Sequence, residues 1–229
     1  MYPYGYYYDY SYLIFILPAI LISMWAQSKV NGAYQRFSRE KADFSMTGDQ
    51  VAKAILNQNG IYDISIVPIR GVLTDNYDRI NSRISLSEGV FGKNSIAAIA
   101  IAAHEASHAV QMEEGYLPIK IRHSMAKVTQ FASSASFFLI LLGFIDMIFL
   151  RIGIIMFLII FLFQLVTLPV EINASRRALE ELESLGISQS DKDKSYMMLR
   201  AAAYTYIAAT LTALAQVLRM ISITNDRRR

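Results

Sequence analysis

Residues 104–108 read His104-Glu105-Ala106-Ser107-His108, and this motif predicts a helix that binds a metal ion. Histidines four positions apart lie on the same face of an α-helix, because one turn takes about 3.6 residues. Both imidazole rings can therefore bind one zinc ion, and Glu105 is placed to act as a general base toward a water that the metal activates. The alternative is a buried helix in which both histidines are hydrogen-bonded core residues.

The motif lies within a predicted helix that begins after Ser95, a good capping residue, and ends near Glu114, with Gly115 as its stop. Residues 96–103 are all isoleucine or alanine. This apolar run is too short to cross a bilayer, and the residues that follow it are polar. We therefore expect a metal helix buried in a folded domain, with alanines that let neighbouring helices approach closely.

The region before this helix predicts a small mixed fold. Thr47 and Gln50 have the spacing of a capping box at the start of a short helix. Two strands are predicted, Ile61–Ile69 and Arg83–Ser87, with a turn-rich segment at 76–81 between them. The strand just before the metal helix can offer its edge to an extended substrate, and an ordinary core hairpin is an equal alternative.

Hydrophobic residues make up 54% of the chain and cluster in runs long enough to cross a membrane. One predicted span is Tyr12–Ala26. Phe131–Leu150 and Ile152–Val170 predict a hairpin that turns at Arg151-Ile152-Gly153. Ala201–Ile223 is either a fourth span or a buried or interfacial helix.

Basic residues predict the orientation in the membrane, because cytoplasmic loops are enriched in lysine and arginine. Such residues follow the first span, precede the second and follow the third: Lys29, Arg36, Arg39, Lys41, Lys120, Arg122, Lys127, Arg176 and Arg177. We expect a multi-pass plasma-membrane protein with residues from about 28 onward in the cytoplasm. The tyrosine-rich start, Met1–Asp9, predicts an interfacial belt outside. If the last helix crosses the membrane fully, Arg227-Arg228-Arg229 would lie outside the cytoplasm, which disagrees with this orientation.

Composition excludes several classes of function. The chain has no cysteine, so it can form neither a disulfide nor a cysteine-ligated zinc site nor a cysteine nucleophile. A net charge of +3 without an aromatic-interleaved basic patch does not indicate nucleic acid. Only Asp146 and Gln164 interrupt the predicted hairpin as strongly polar residues, which does not favour a transporter. The expected partners are a peptide or membrane-protein substrate and the lipid bilayer, and the oligomeric state stays open.

A catalytic zinc site usually has three protein ligands. The extended motif with a third histidine at position 114 is absent, because that residue is Glu114. His123 follows no known spacing, and Glu114 is expected to be solvated. Glu171 is the stronger candidate, since a carboxylate at the end of an apolar span needs a partner. That partner is a metal or, alternatively, Arg176 or Arg177.

Three further stretches accompany the motif, and together they resemble the YugP-type membrane zinc peptidases of bacteria. The similar stretches are Trp25–Val30, Leu73–Asp78, Ala103–Gln111 and Leu168–Leu179. The resemblance covers nearly the whole chain and implies a neutral, gluzincin-like zinc metallopeptidase with His104, His108 and Glu171 on the metal. Family members commonly have glycine where this chain has Ser107, a small residue whose effect we expect to be slight.

Two roles stay open within this resemblance. The wider gluzincin group often carries aspartate four residues after the ligand glutamate, where this chain has Ser175. Orientation of a zinc-bound histidine then falls to Asn173 or Ser175, or is absent. The candidates for the donor that stabilises the oxyanion are Arg176, His123, Tyr204 and Tyr206.

These observations predict a mainly α-helical protein whose membrane helices carry a small cytoplasmic zincin-like α+β metallopeptidase domain. The predicted segments are an N-terminal membrane helix (1–27), the metallopeptidase part (28–130), a transmembrane hairpin (131–170), a helix with the third ligand (171–200) and a C-terminal membrane or interfacial helix (201–229). The expected function is zinc-dependent endopeptidase cleavage of membrane or membrane-proximal proteins, with Glu105 as the catalytic base. The alternative is a membrane scaffold or interaction protein with a zinc site but no turnover. An intramembrane site-2-type protease is less favoured, because its second aspartate motif is missing.

Overall fold

A computed structural model describes residues 10–142 and 146–226 of the chain. These residues form a mainly helical protein with one small three-stranded sheet, which confirms the coarse fold prediction. The predicted tyrosine belt at Met1–Asp9 and the Arg227-Arg228-Arg229 cluster lie outside the described residues.

Six α-helices and three strands follow one another along the described chain. After a π-helical turn at Tyr12–Ile16, the order is α1 (Leu17–Phe37), α2 (Gly48–Gln58), β1 (Ser65–Ile69), β2 (Asn76–Asp78), β3 (Arg83–Ser87), α3 (Ile96–Glu113), α4 (Leu117–Leu142), α5 (Met147–Ser184) and α6 (Gln189–Asp226). The chain divides into two compact units. The sheet unit comprises Ala26–His123 and Val166–Tyr206, and the helical unit comprises the described parts of Met1–Trp25, Ser124–Leu165 and Ile207–Arg229.

The sheet unit is built around α3, whose first eight residues are all buried. Its N-terminus is capped as predicted, because the Ser95 hydroxyl accepts a hydrogen bond from Ala98 N at 3.2 Å. The helix is followed by Gly115 at φ +76°, a conformation that glycine adopts without a steric penalty. Helix α2 and the sheet pack on α3, and α5 adds Ala178 and Leu182 to the same core. This packing buries most of the motif helix inside the unit.

The sheet has the strand order β1-β3-β2. Strand β3 is parallel to β1 and antiparallel to β2, so both of its edges are paired. The prediction that the strand before the metal helix offers an edge to substrate is therefore wrong for β3. Among the described strands, β2 is an edge strand and contacts α3.

Strand β2 was predicted as a turn. Its three residues are Asn76, Tyr77 and Asp78. Asn76 and Asp78, on either side of the tyrosine, are residue types that favour turns. So short a strand shows no alternating pattern. It forms because Tyr77 pairs with Ile84 of β3 across the short loop that joins the two strands.

The helical unit contains the more apolar stretches of the chain. Three of the described helical segments are long and apolar enough to cross a membrane, namely Tyr12–Phe37, Ile148–Ser184 and Gln189–Thr224. The predicted span Phe131–Leu150 is not among them. Part of it belongs to α4 and part to α5, and residues 143–145 lie outside the described chain.

The predicted turn at Arg151-Ile152-Gly153 is wrong, because these residues lie inside α5. The break between helices falls between Leu142 and Met147 instead. There Asp146 Oδ1 accepts a hydrogen bond from Ile148 N at 2.9 Å, which satisfies an amide at the start of α5. A glycine inside a helix costs only about 1 kcal/mol, so Gly153 need not interrupt it.

Helices α5 and α6 are longer than the predicted segments. Helix α5 continues through Pro169 to Ser184, so Glu171 lies on the same helix as the third apolar run. Gly186, at φ +88°, lies in the connection that follows. Helix α6 runs without a break from Gln189, and hence no separate helix begins at 171 or at 201.

Candidate metal centre

The two motif histidines lie side by side on α3. Their ring centroids are 4.7 Å apart and the ring planes are inclined by 79°. His108 is buried and His104 is partly exposed. The four-residue spacing thus places two nitrogen ligands at one point on the helix surface, as the sequence predicts.

Glu171 reaches the same point from α5. Its side chain is buried, with Oε2 3.1 Å from His104 Nε2 and 3.6 Å from His108 Nε2. One potential ligand atom from each of the three residues lies within 4.8 Å of the other two. Two imidazole nitrogens and one carboxylate oxygen are a donor set that zinc accepts, with a fourth position left for water or substrate. The residues therefore fit the metal, although their role as ligands stays a prediction.

The other oxygen of Glu171 faces Arg122, from the first turns of α4. Arg122 Nη1 lies 3.2 Å from Oε1, so the two carboxylate oxygens have different partners. The alternative partners proposed from the sequence are engaged elsewhere. Arg176 lies 3.7 Å from Glu180, and Arg177 pairs with Glu114.

The remaining candidates for the third ligand do not join the histidine pair. Glu114 is exposed and bonded to Arg177 through both carboxylate oxygens. His123 is not part of the His104, His108 and Glu171 cluster. It lies close enough to Arg122 and His108 to feel their charges, and burial together with Arg122 lowers the pKa of its imidazole.

Glu105 is partly buried beside the two histidines. Burial raises the pKa of its carboxyl group, and the nearby charges of His108 and His104 oppose this increase. Glu171 and Asp75 lie near enough to raise it further. Asp75 itself accepts hydrogen bonds from Ser87 N at 2.7 Å and from the Ser87 hydroxyl at 2.9 Å, next to the edge strand β2. These charges place the Glu105 carboxyl group near the candidate ligands, and its role as general base stays a prediction.

Both histidines have partners at the ring nitrogen that faces away from Glu171. His108 Nδ1 lies 3.0 Å from Gln111 Oε1, and His104 Nδ1 lies 3.3 Å from the Ser175 hydroxyl. Ser175, one of the two residues expected to orient a zinc-bound histidine, therefore contacts His104, and its orienting role stays a prediction. Asn173 contacts Gln111 rather than a histidine.

Sequence reasoning assigned no role in the site to Gln111 or Arg122. Gln111 follows His108 by three residues, which places both on one face of α3, so its position was readable from the motif. No comparable signal exists for Arg122, because its contact with Glu171 joins two different helices.

Tyr206 is the candidate oxyanion donor that interacts with the third ligand of the cluster. It lies near enough to Glu171, Glu105 and Arg122 to feel their charges. Arg176 is largely exposed and faces Glu180. The assignment of the oxyanion donor stays a prediction, with Tyr206 the best placed of the candidates.

Comparisons with known proteins identify the family to which the chain is similar. The model of a family described as "putative neutral zinc metallopeptidase" matches residues 12–225. The chain is also 39% identical over 217 residues to the protein named "Putative membrane protease YugP" of Bacillus subtilis (strain 168). That similarity covers 93% of this chain and 96% of the relative. No solved structure matches the chain.

Proposed function

Because this chain belongs to the neutral zinc metallopeptidase family, we propose that it is a zinc-dependent endopeptidase embedded in a membrane. The reaction is hydrolysis of peptide bonds in membrane or membrane-proximal proteins. The observation that carries the proposal is the meeting of the Glu171 carboxylate with His104 and His108, near enough to Glu105 for the charges of all three to act on its carboxyl group. Three ligands and an adjacent carboxyl group are the minimum set for metal-assisted hydrolysis.

Zinc, when bound, supplies Lewis acidity that activates a water molecule and polarises the scissile carbonyl. His104 and His108 would hold it through Nε2, the ring nitrogens that face Glu171. Glu171 would contribute Oε2, while Oε1 stays in its ion pair with Arg122. The partners of His104 and His108 at Nδ1 hold the two rings in place.

Glu105 performs the proton transfers. It takes a proton from the attacking water and delivers it to the leaving amine as the peptide bond breaks. Tyr206 is the candidate to donate a hydrogen bond to the negatively charged oxygen that develops on the carbonyl carbon. General acid–base catalysis of this kind contributes about 10²- to 10⁴-fold to rate.

The edge strand β2 favours an extended substrate. It is the antiparallel edge of the sheet, and it contacts the metal helix α3. A peptide added to such an edge is held by main-chain hydrogen bonds and needs little sequence specificity. This arrangement suits a protease that cleaves unfolded or extended segments.

The position of Glu171 on α5 favours a site at the membrane surface. With a rise of 1.5 Å per residue, Glu171 is roughly 35 Å along the helix from Ile148, where the apolar segment starts. The hydrocarbon core of a bilayer is about 30 Å thick, so the carboxylate falls just beyond it. The basic residues that flank the apolar runs favour the cytoplasmic side of the plasma membrane.

Replacement of Glu105 by glutamine tests the proposed reaction. Purified wild type and Glu105→Gln should bind equal amounts of zinc, because Glu105 is not a ligand. Hydrolysis of an unfolded membrane-protein substrate should fall by about 10²-fold or more. Glu113→Gln is the matched control, since Glu113 is exposed on the same helix and the same charge is removed.

Retained activity in Glu105→Gln would remove this residue from the mechanism. A wild-type protein that binds zinc but cleaves no membrane protein or unfolded peptide would contradict the protease proposal. That result would favour a membrane scaffold or interaction protein with a zinc site.

A further inference from the structure

Gln111 joins the two helices that carry the ligands. Its side chain is fully buried on α3, one turn beyond His108. Its Nε2 lies 2.9 Å from the Val170 carbonyl oxygen and 2.8 Å from Asn173 Oδ1, both on α5. Its Oε1 lies 3.0 Å from His108 Nδ1. Val170 immediately precedes the third ligand, so one amide group touches both halves of the cluster.

The partners on α5 determine which way the amide points. A backbone carbonyl can only accept a hydrogen bond, so the Gln111 atom that faces Val170 must be the NH₂ group. Asn173 Oδ1 agrees, because it also accepts a hydrogen bond from Arg177 Nε at 2.9 Å. The Gln111 oxygen is therefore the atom that faces His108.

This orientation determines the tautomer of His108. An amide oxygen has no proton to donate, and His108 must supply the hydrogen from Nδ1. In the neutral ring, Nε2 then carries the lone pair and can bind a metal beside Glu171. His104 is different, because its partner at Nδ1 is the Ser175 hydroxyl, which can either donate or accept.

We infer that Gln111 is a positioning residue that couples the two ligand helices. It holds His108 in the Nδ1–H tautomer. Through its hydrogen bond to Val170, the residue before Glu171, it also fixes the position of this part of α5 relative to the two histidines on α3. A displacement of α5 relative to α3 would therefore change the position of the His108 ring and the position of Glu171 together. The inference deepens the proposed metal site and depends on it.

Zinc affinity measured by chelator competition tests the inference. Gln111→Met keeps the volume of the side chain but can neither accept from His108 nor donate to Val170. Its zinc affinity should fall about 10- to 100-fold, the usual range for a lost partner of a ligating histidine. The variant Ser175→Ala should lose less zinc affinity, because the Ser175 hydroxyl does not impose a tautomer on His104. Equal affinity of wild type and Gln111→Met would overturn the inference.

Nuclear magnetic resonance of ¹⁵N-histidine-labelled protein supplies a second readout. The chain has only three histidines, so the ring nitrogens can be resolved. In zinc-loaded wild type, the His108 proton should be at Nδ1 and should exchange slowly with water, because it is hydrogen-bonded to a buried amide. In Gln111→Met it should exchange faster. A wild-type His108 without a slowly exchanging Nδ1 proton would overturn the inference, even if the methionine variant does not fold.

The two readouts separate this inference from the proposed function. Wild-type protein that binds no zinc contradicts the metal site itself. Wild-type protein that binds zinc, with Gln111→Met indistinguishable from it, contradicts only the positioning role of Gln111.

Discussion

At the scale of single residues, the state of the Glu171 carboxylate is the main constraint on the site. A carboxylate removed from water loses hydration worth several kcal/mol, and only close opposite charges or hydrogen-bond donors compensate for it. Here Oε2 faces two imidazoles and Oε1 faces Arg122. A divalent cation between the imidazoles and Oε2 would add the charge that such a buried acid favours.

Replacement of Glu171 by alanine should therefore abolish stoichiometric zinc binding, because only the two histidines would remain as ligands. Glu114→Ala is the matched control, since this carboxylate was the weaker ligand candidate and is bonded to Arg177 at the surface. Metal analysis of both purified variants measures the effect. Unchanged zinc in Glu171→Ala, or loss of zinc in Glu114→Ala, would contradict the assignment of the third ligand.

At the scale of secondary-structure elements, close approach of α2 to the chain around α3 keeps the motif helix buried. Gly48 is the first residue of α2 and is itself buried. A Cβ at this position would lie 2.7 Å from the Val90 carbonyl oxygen and 3.0 Å from that of Ala98. Both atoms belong to the backbone, so neither can rotate away. The alanine-rich surface of α3 is what permits this approach.

Gly48→Ala should accordingly lower the free energy of unfolding by about 1–3 kcal/mol, the usual cost of overpacking. Gly32→Ala is a suitable control, because nothing lies within 4 Å of its added Cβ and the residue is inside α1. Alanine in a helix interior is favoured over glycine by about 0.5–1 kcal/mol, so this variant should be slightly more stable. Thermal unfolding in detergent compares the three proteins, and equal stability of Gly48→Ala and wild type would show that α2 can shift.

At the scale of the whole molecule, the chain enters the sheet unit twice, first through Ala26–His123 and again through Val166–Tyr206. Between these passages, and after the second, it contributes to the helical unit. Every described residue of the candidate centre belongs to the sheet unit. The candidate membrane spans and the site residues nevertheless share α5 and α6, so in the proposed membrane protein the position of the site depends on how these helices cross the bilayer.

The absence of cysteine makes the orientation measurable with single-cysteine variants. Lys53 is exposed on α2, and Lys53→Cys should react with a membrane-impermeant maleimide only after cells are permeabilised. Tyr6→Cys, at the predicted outer end, should react in intact cells. Labelling of Lys53→Cys in intact cells would place the candidate centre outside the cytoplasm.

Local signals in the sequence determined a good part of the fold. The cap at Ser95, the end of α3 before Gly115 and the strand Arg83–Ser87 were all readable, because each depends on residues within a few positions of one another. The helical spacing of His104 and His108 belongs to the same class. The family resemblance and the apolar span before Glu171 pointed to that residue from a distance, and the structure brings its carboxylate to the histidines.

Only the tertiary structure decided the features that depend on contacts between distant segments. It showed the pairing of β1 with β3, the contact of Arg122 with Glu171 and the amide of Gln111 between α3 and α5. It also moved the helix break from Arg151-Ile152-Gly153 to the residues before Met147. Periodicity and capping describe a segment against its own neighbours in the chain. The partner of a buried charge or of a strand edge depends on tertiary packing. Packing brings together residues that lie far apart in the sequence, so no local pattern predicts their contact.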